Sequence, residues 1–106
     1  MNYLNHIKEL NLQKPEEPVF FFKPDSTLLQ KNSPFYYPDF SQKVDYECEL
    51  VVKINRLGKS IPERYAKNYY NEIALGLDMT CRDIQEKEMA LSLPWSLSKA
   101  FDYSAP

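Results

Sequence analysis

Glycine is scarce in this chain. Only two glycines, Gly58 and Gly76, occur among its 106 residues, where an average share near 7% would give about seven. A complete domain with many tight turns normally contains more, because glycine adopts the positive φ angles that such turns require. We expect such an angle at Gly58, in the turn that follows the first predicted strand.

Several function classes are excluded by what else is missing. No apolar stretch approaches the roughly 20 residues of a membrane span, and the polar N-terminus does not resemble a signal peptide. Lysine and arginine form no cluster and the net charge is −2, which argues against a nucleic-acid partner. Cys48 and Cys81 are too far apart for a metal-spaced pair, so we expect reduced thiols in a cytoplasmic protein.

The residue pattern predicts an α+β fold with two core strands. Apolar residues alternate over 44–54, which is typical of a strand with one buried face. A second strand is predicted over 72–78, where every second residue is leucine or isoleucine. A short buried strand is expected at 19–22, where a valine precedes three phenylalanines.

Capping patterns predict two helices. Ser60 and Glu63 match a capping box, which predicts a helix that begins at Ser60 and continues to about residue 70. Thr80 and Asp83 repeat the spacing and predict a helix over 81–91.

Three carboxylates are candidate metal ligands. Glu47 and Glu49 lie two residues apart on the first predicted strand, so they point to the same side. Their repulsion would be relieved by a divalent cation, although a solvated strand face carries the same pattern. Asp78 closes the second strand and is either an ordinary turn aspartate or a third oxygen ligand for Mg²⁺ or Mn²⁺.

Three other charged side chains and one histidine are weaker candidates. A short helix is predicted over 2–10, and on it His6 and Glu9 would be neighbours. A carboxylate beside an imidazole suits a base that activates water, but a surface ion pair has the same spacing. By spacing alone, Lys99 and Arg82 would be solvated charges.

Five segments together resemble the fumarylacetoacetate hydrolase family. They are, in chain order, NYLNHIKEL, EPVFFFKPDS, VDYECELVVKI, IALGLDMTCRDIQ and LPWSLSKAFDYSAP, and they extend over nearly the whole chain. The resemblance implies a mixed β-roll fold and a homodimer. It also implies site residues: Glu47, Glu49 and Asp78 as ligands of Mg²⁺ or Mn²⁺, Lys99 as the lysine that stabilises negative charge, His6 and Glu9 as a water-activating dyad on a mobile lid helix, and Arg82 and Lys23 around the substrate pocket.

The activity that the resemblance implies is metal-dependent hydrolysis of a carbon–carbon bond in small acylpyruvate-type 2-oxo acids. Decarboxylation, hydration or isomerisation of a 2-oxo acid is the alternative within the family, because these reactions use the same metal site. An alternative of another class is a non-catalytic fragment, from a truncated or split domain.

The chain also departs from the family pattern. Family members begin with a strand and a Gly-Arg pair before the Asn-Tyr, and they continue for roughly another hundred glycine-rich residues. We therefore expect residues 1–106 to be the N-terminal portion of one catalytic domain, truncated at its C-terminus. Such a portion should have exposed edge strands and low stability unless a partner chain completes the sheet.

Overall fold

The computed structural model describes residues 16–31 and 33–106, and their fold is α+β, as predicted. The helix predicted over 2–10 lies outside these residues. The described helices have at most nine residues, so none of them is long enough to cross a membrane. The elements are a 3₁₀ helix Asp25–Thr27, strand β1 Val44–Ile54, a 3₁₀ helix Glu63–Asn68, strand β2 Tyr70–Cys81, helix α1 Arg82–Ala90 and helix α2 Ser96–Lys99.

The two strands form one antiparallel pair. β1 occupies the range that its alternating pattern predicts, and its register places Glu47 opposite Asp78. β2 is longer than the predicted 72–78 at both ends, so that prediction was too short. β2 pairs with β1 over this whole length. The opposite edge of β2 bonds to the C-terminal segment, where Met79 N donates a hydrogen bond to Ser104 O at 2.9 Å.

The apolar row of β1 is exposed, which corrects the prediction that it faces a core. Tyr46, Leu50 and Ile54 are 69%, 75% and 66% exposed. Burial is instead concentrated at the C-terminal end of β2, from Asp78 to Cys81, where the helices and the C-terminal segment pack. The described part of the chain therefore leaves most of the apolar face of the strand pair uncovered.

Residues 19–22 form no strand, which corrects that prediction. Phe20 and Phe22 are exposed, and the segment makes no ladder with β1 or β2. The apolar residues are consistent with a strand, but strand formation also requires a neighbouring edge to pair with. The segment is held through its side chains instead, as described below.

The first capping-box prediction was wrong. Ser60 has a φ of 53°, and the short 3₁₀ helix Glu63–Asn68 begins after Pro62 without a side-chain cap. The fixed φ of proline suits the residue before a helical turn, and it displaces the start by two residues. Gly58 does not have a positive φ either, since the positive angle in this loop falls on Ser60.

The second capping-box prediction placed a helix correctly but named the wrong cap. α1 begins at Arg82, and Cys81 is its N-cap residue without a side-chain cap bond. The Thr80 hydroxyl donates to the Asp78 carbonyl and accepts from a lysine, so it is not available to the helix. Asp83 instead accepts hydrogen bonds from the Ser41 hydroxyl at 2.6 Å and the Gln42 amide at 3.1 Å.

Candidate metal centre

The strand pair brings three carboxylates together. Glu47 and Glu49 point to the same side of β1, and Asp78 lies directly opposite Glu47 on β2. One oxygen atom of each residue lies within 4.8 Å of the others, and the group could hold a metal ion. Strand geometry thus gathers the three predicted ligands.

A buried lysine joins this cluster from α2. Lys99 is 2% exposed, and its Nζ donates to Asp78 Oδ2 and to Thr80 Oγ1, both at 2.6 Å. Its Nζ also lies 3.3 Å from Glu47 Oε2. The expectation from spacing that Lys99 is solvated was therefore wrong, because α2 directs it into the carboxylate cluster.

A second lysine enters from the segment before the first 3₁₀ helix. Lys23 Nζ lies 2.7 Å from Asp78 Oδ1, and it donates to Ser104 Oγ at 3.0 Å and Ser104 O at 3.1 Å. It also donates to the Lys99 carbonyl. Burial lowers the pKa of Lys23, and the nearby Asp78 carboxylate partly opposes this effect.

Arg82 binds the other side of the cluster. Its Nη2 lies 2.7 Å from Glu47 Oε1, and its Nε lies 3.1 Å from Asp45 Oδ2. Its Nη1 donates to Gln85 Oε1 at 2.7 Å. Because three of its nitrogens are bound to protein groups, Arg82 fixes the orientation of the Glu47 carboxylate.

The three carboxylates differ in their electrostatic surroundings. Burial tends to raise the pKa of Glu47, but the charges of Lys99 and Arg82 outweigh it and hold that pKa below its ordinary value. Burial is also the main influence on Glu49, and with the charges of Asp78 and Glu47 it raises the pKa of Glu49. Glu49 is thus the carboxylate that the protein cations stabilise least.

The donor atoms fit a divalent cation. Asp78 is 3% exposed, and its Oδ1 lies 2.7 Å from Lys23 Nζ. A carboxylate oxygen has two lone pairs, so a cation could bind the one that Lys23 leaves. A set made only of carboxylate oxygens matches the preference of Mg²⁺ and Mn²⁺.

Sequence reasoning missed the residues that support the cluster. Glu88 is buried, and its carboxylate accepts hydrogen bonds from Leu97 N at 3.0 Å and from the Ser98 hydroxyl, at the start of α2. It therefore anchors the helix that presents Lys99. The available signal was a polar row at three-residue intervals on α1, formed by Arg82, Gln85 and Glu88.

Two of the predicted catalytic residues cannot be placed. His6 and Glu9 lie outside the described residues, so their position relative to the carboxylate cluster stays a prediction from the resemblance. The other six predicted residues, Lys23, Glu47, Glu49, Asp78, Arg82 and Lys99, are linked by the ion pairs and short distances given above.

Comparisons with known proteins bear on this arrangement. The family model described as fumarylacetoacetate (FAA) hydrolase C-terminal matches residues 1–106. The chain belongs to the fumarylacetoacetate hydrolase family. The family and the fold class that the sequence predicted are thereby confirmed.

Individual relatives have several activities. The mitochondrial oxaloacetate tautomerase FAHD1 of Mus musculus is 40% identical over 99% of this chain and 48% of its own length. The mitochondrial oxaloacetate decarboxylase of Dictyostelium discoideum is 42% identical over 99% of this chain and 49% of its own length. The chain thus spans about half the length of these relatives.

One relative has a solved structure with a metal ion and a small molecule bound. The fumarylpyruvate hydrolase of Pseudomonas aeruginosa, in complex with Mn²⁺ and pyruvate, has a TM-score of 0.83 to this chain and 36% identity. The match includes 94% of this chain and 45% of that one. These homologues indicate a metal-dependent 2-oxo acid enzyme at the family level.

Proposed function

We propose that the chain provides the metal-binding part of an enzyme that hydrolyses a carbon–carbon bond in acylpyruvate-type 2-oxo acids. The observation that carries this proposal is the cluster of Glu47, Glu49 and Asp78, whose oxygens lie within 4.8 Å of one another beside buried Lys99. An all-oxygen site with an adjacent ammonium suits an anionic substrate that gains negative charge as it reacts.

The cation is proposed to be Mg²⁺ or Mn²⁺, held by Glu47, Glu49 and Asp78. When bound, it would act as a Lewis acid towards the oxygens of a 2-oxo acid. The relative that binds Mn²⁺ and pyruvate supports this proposal, since pyruvate is itself a small 2-oxo acid. The close approach of the three carboxylates supports it independently of any relative.

The cationic side chains have separate proposed roles. Lys99 presents a fixed ammonium, held by Asp78 and Thr80, that stabilises negative charge as it develops on the substrate. Lys23 and Arg82 line the substrate pocket, and Arg82 also keeps the Glu47 carboxylate in place. None of these roles requires the cations to move a proton.

Water activation is proposed for the dyad that the resemblance implies. His6, oriented by Glu9, would accept a proton from water while the oxygen attacks the distal carbonyl carbon of the acylpyruvate. The bond between that carbon and the pyruvyl methylene then breaks, and the methylene takes up the proton. The products are a carboxylic acid and pyruvate, so atoms and charge balance.

Another reaction of a 2-oxo acid is the second candidate. Two relatives are named as an oxaloacetate tautomerase and an oxaloacetate decarboxylase, and both match 99% of this chain. Neither decarboxylation nor tautomerisation needs an attacking water, so neither would require the His6–Glu9 dyad to activate one. A non-catalytic fragment is the third possibility, because the chain spans about half the length of these relatives.

The test is cleavage of acetylpyruvate, followed as loss of its enol absorbance with Mg²⁺ or Mn²⁺ and then with EDTA. We expect metal-dependent turnover that Glu47→Ala abolishes and that Glu72→Gln, at an exposed pair with Lys53, leaves unchanged. Turnover of oxaloacetate but not of acetylpyruvate would favour the second candidate. Failure of the chain to bind metal would favour the non-catalytic fragment.

We also propose that the protein is a homodimer. The exposed apolar row on β1, which includes Tyr46, Leu50 and Ile54, is a surface of the kind that mediates association. At a chain concentration of roughly tens of micromolar, Leu50→Glu should lower the sedimentation coefficient towards that of the monomer. The matched change at Leu57, which is 98% exposed outside the strands, should not. A monomeric unmodified chain at that concentration would contradict the proposal.

A further inference from the structure

An apolar groove lies beside the carboxylate cluster. It encloses about 400 Å³ between residues 19–22 and 93–96, a volume in the range of small-molecule sites. Aromatic and aliphatic side chains form its walls, chiefly Phe20, Phe21, Phe22, Leu93 and Trp95. None of the eight described residues that line the groove is charged.

Phe21 connects the groove to the cluster. Its ring packs against the Trp95 ring with centroids 6.1 Å apart, on the groove side. The same ring lies 5.7 Å from Lys99 Nζ, which is 2.6 Å from Asp78 Oδ2. One aromatic ring is therefore the boundary between the charged pocket and the apolar groove.

The geometry points to this groove as the binding site for an apolar acyl tail, alkyl or aryl, on the 2-oxo acid substrate. This inference rests on the proposed function, since the 2-oxo acid head would be held by the cations and the metal ligands. A tail that continues past Phe21 enters the groove and removes apolar surface from water. A tail that ends in a carboxylate meets no cation among the groove-lining residues that the structure describes.

The single tryptophan, Trp95, reports on the groove directly. We would titrate the chain in Mg²⁺ with pyruvate and with 2-oxooctanoate, which has five more methylenes, and record Trp95 fluorescence. Each methylene that is fully buried lowers Kd about fourfold. In a groove that is open on one side, a methylene gains about half of that free energy, which lowers Kd about twofold. The expected ratio of the two Kd values is thus about 30, with a fluorescence change for 2-oxooctanoate.

Variants test whether the groove causes that ratio. Leu93→Asp puts a charge into the groove and should reduce the ratio of Kd values to below about 5. Phe22→Ser should also reduce it, and because Phe22 is 93% exposed, this change costs little packing. Leu57→Asp, far from the groove and 98% exposed, should retain the ratio. Octanoate, which lacks the keto group, should bind more weakly than 2-oxooctanoate.

The outcomes separate this inference from the proposed function. Equal Kd values for pyruvate and 2-oxooctanoate, a ratio that survives both groove variants, or no binding of either acid would overturn the inference. With acylpyruvates, kcat/KM should be about 15-fold higher for hexanoylpyruvate than for acetylpyruvate, from four added methylenes. Length-dependent binding without turnover of either would refute the hydrolase and leave the groove in place. Equal turnover of both would refute the groove and leave the hydrolase in place.

Discussion

Replacing Lys99 by methionine tests the electrostatic balance of the site. In the native cluster, the cations Lys23, Arg82 and Lys99 face the carboxylates of Glu47, Glu49 and Asp78, and Arg82 also pairs with Asp45 at the edge of the cluster. Removal of Lys99 makes the cluster more negative by one charge and removes a hydrogen-bond donor from buried Asp78 and Thr80. Breaking a buried ion pair from one side typically costs about 3–5 kcal/mol.

The expected effect is large on the scale of a small domain. With a urea dependence of about 1.5 kcal/mol per molar, a loss of about 3 kcal/mol lowers the unfolding midpoint by about 2 M. The assay is urea unfolding followed by Trp95 fluorescence in EDTA and then in Mg²⁺. Because the variant cluster is more negative, Mg²⁺ should restore more stability to Lys99→Met than it adds to the unmodified chain.

The matched control is Lys53→Met. Lys53 also forms a lysine–carboxylate pair at 2.7 Å, with Glu72, but both side chains are more than half exposed. An exposed pair contributes about 0–1 kcal/mol, so its midpoint should move by at most about 0.7 M. Equal shifts for Lys99→Met and Lys53→Met in EDTA would refute the reasoning, as would a metal response that is the same in both.

Further predictions concern the groups around the cluster. Glu88→Gln removes the charged acceptor of the first hydrogen bonds of α2 and should lower the free energy of unfolding by about 1–3 kcal/mol in urea titrations. Thr80→Val keeps the shape but leaves a buried ammonium proton unpaired, with a cost of similar size by the same assay. Hydrogen bonds, first from Ser41, hold the pKa of Asp83 below its ordinary value of 3.8, so its stabilisation is present above pH 3.8 and lost as pH falls through the folded value. Asp83→Asn should therefore lower the unfolding midpoint at pH 7, and its difference from the unmodified chain should shrink as pH falls below 3.8.

Matched controls are available for these variants. Glu86→Gln lies on the exposed side of the same helix as Glu88 and should change unfolding by less than about 0.5 kcal/mol. Asp102→Asn, at an exposed position, is the matched control for Asp83→Asn and should change unfolding at pH 7 by less than about 0.5 kcal/mol. If Glu88→Gln unfolds at the same urea concentration as Glu86→Gln, then Glu88 does not anchor α2. A difference for Asp83→Asn that does not shrink as pH falls below 3.8 would contradict the assigned hydrogen bonds.

Local periodicity predicted the part of the site that lies on regular structure. The alternation over 44–54 fixes which side Glu47 and Glu49 share, because side chains on a strand change sides at every residue. Prediction of the position of Asp78 then required only that the second strand pair with the first in the observed register. The carboxylate cluster was accessible to sequence reasoning for this reason.

The remaining contacts depend on chain packing over long sequence separations. Lys23 reaches Ser104 across 81 positions, and Lys99 reaches Thr80 across 19, and no local pattern encodes such distances. The same limit explains the exposed apolar face of β1, since alternation identifies a face but not what lies against it. The error at Ser60 is local instead, because Pro62, two residues further on, determined the helix start.

The polar character of the buried region has a consequence for how this protein could acquire new substitutions. Among the described residues, the buried hydrophobic side chains are Met79 and Cys81, whereas Asp78, Lys99 and Glu88 are buried beside them. Substitutions that alter the chemistry therefore also alter the folding free energy, because the same atoms serve both. Substitutions that change the substrate should therefore be tolerated best at the groove wall, where Phe22 makes few packing contacts. Substitutions inside the carboxylate cluster should need stabilising substitutions elsewhere first.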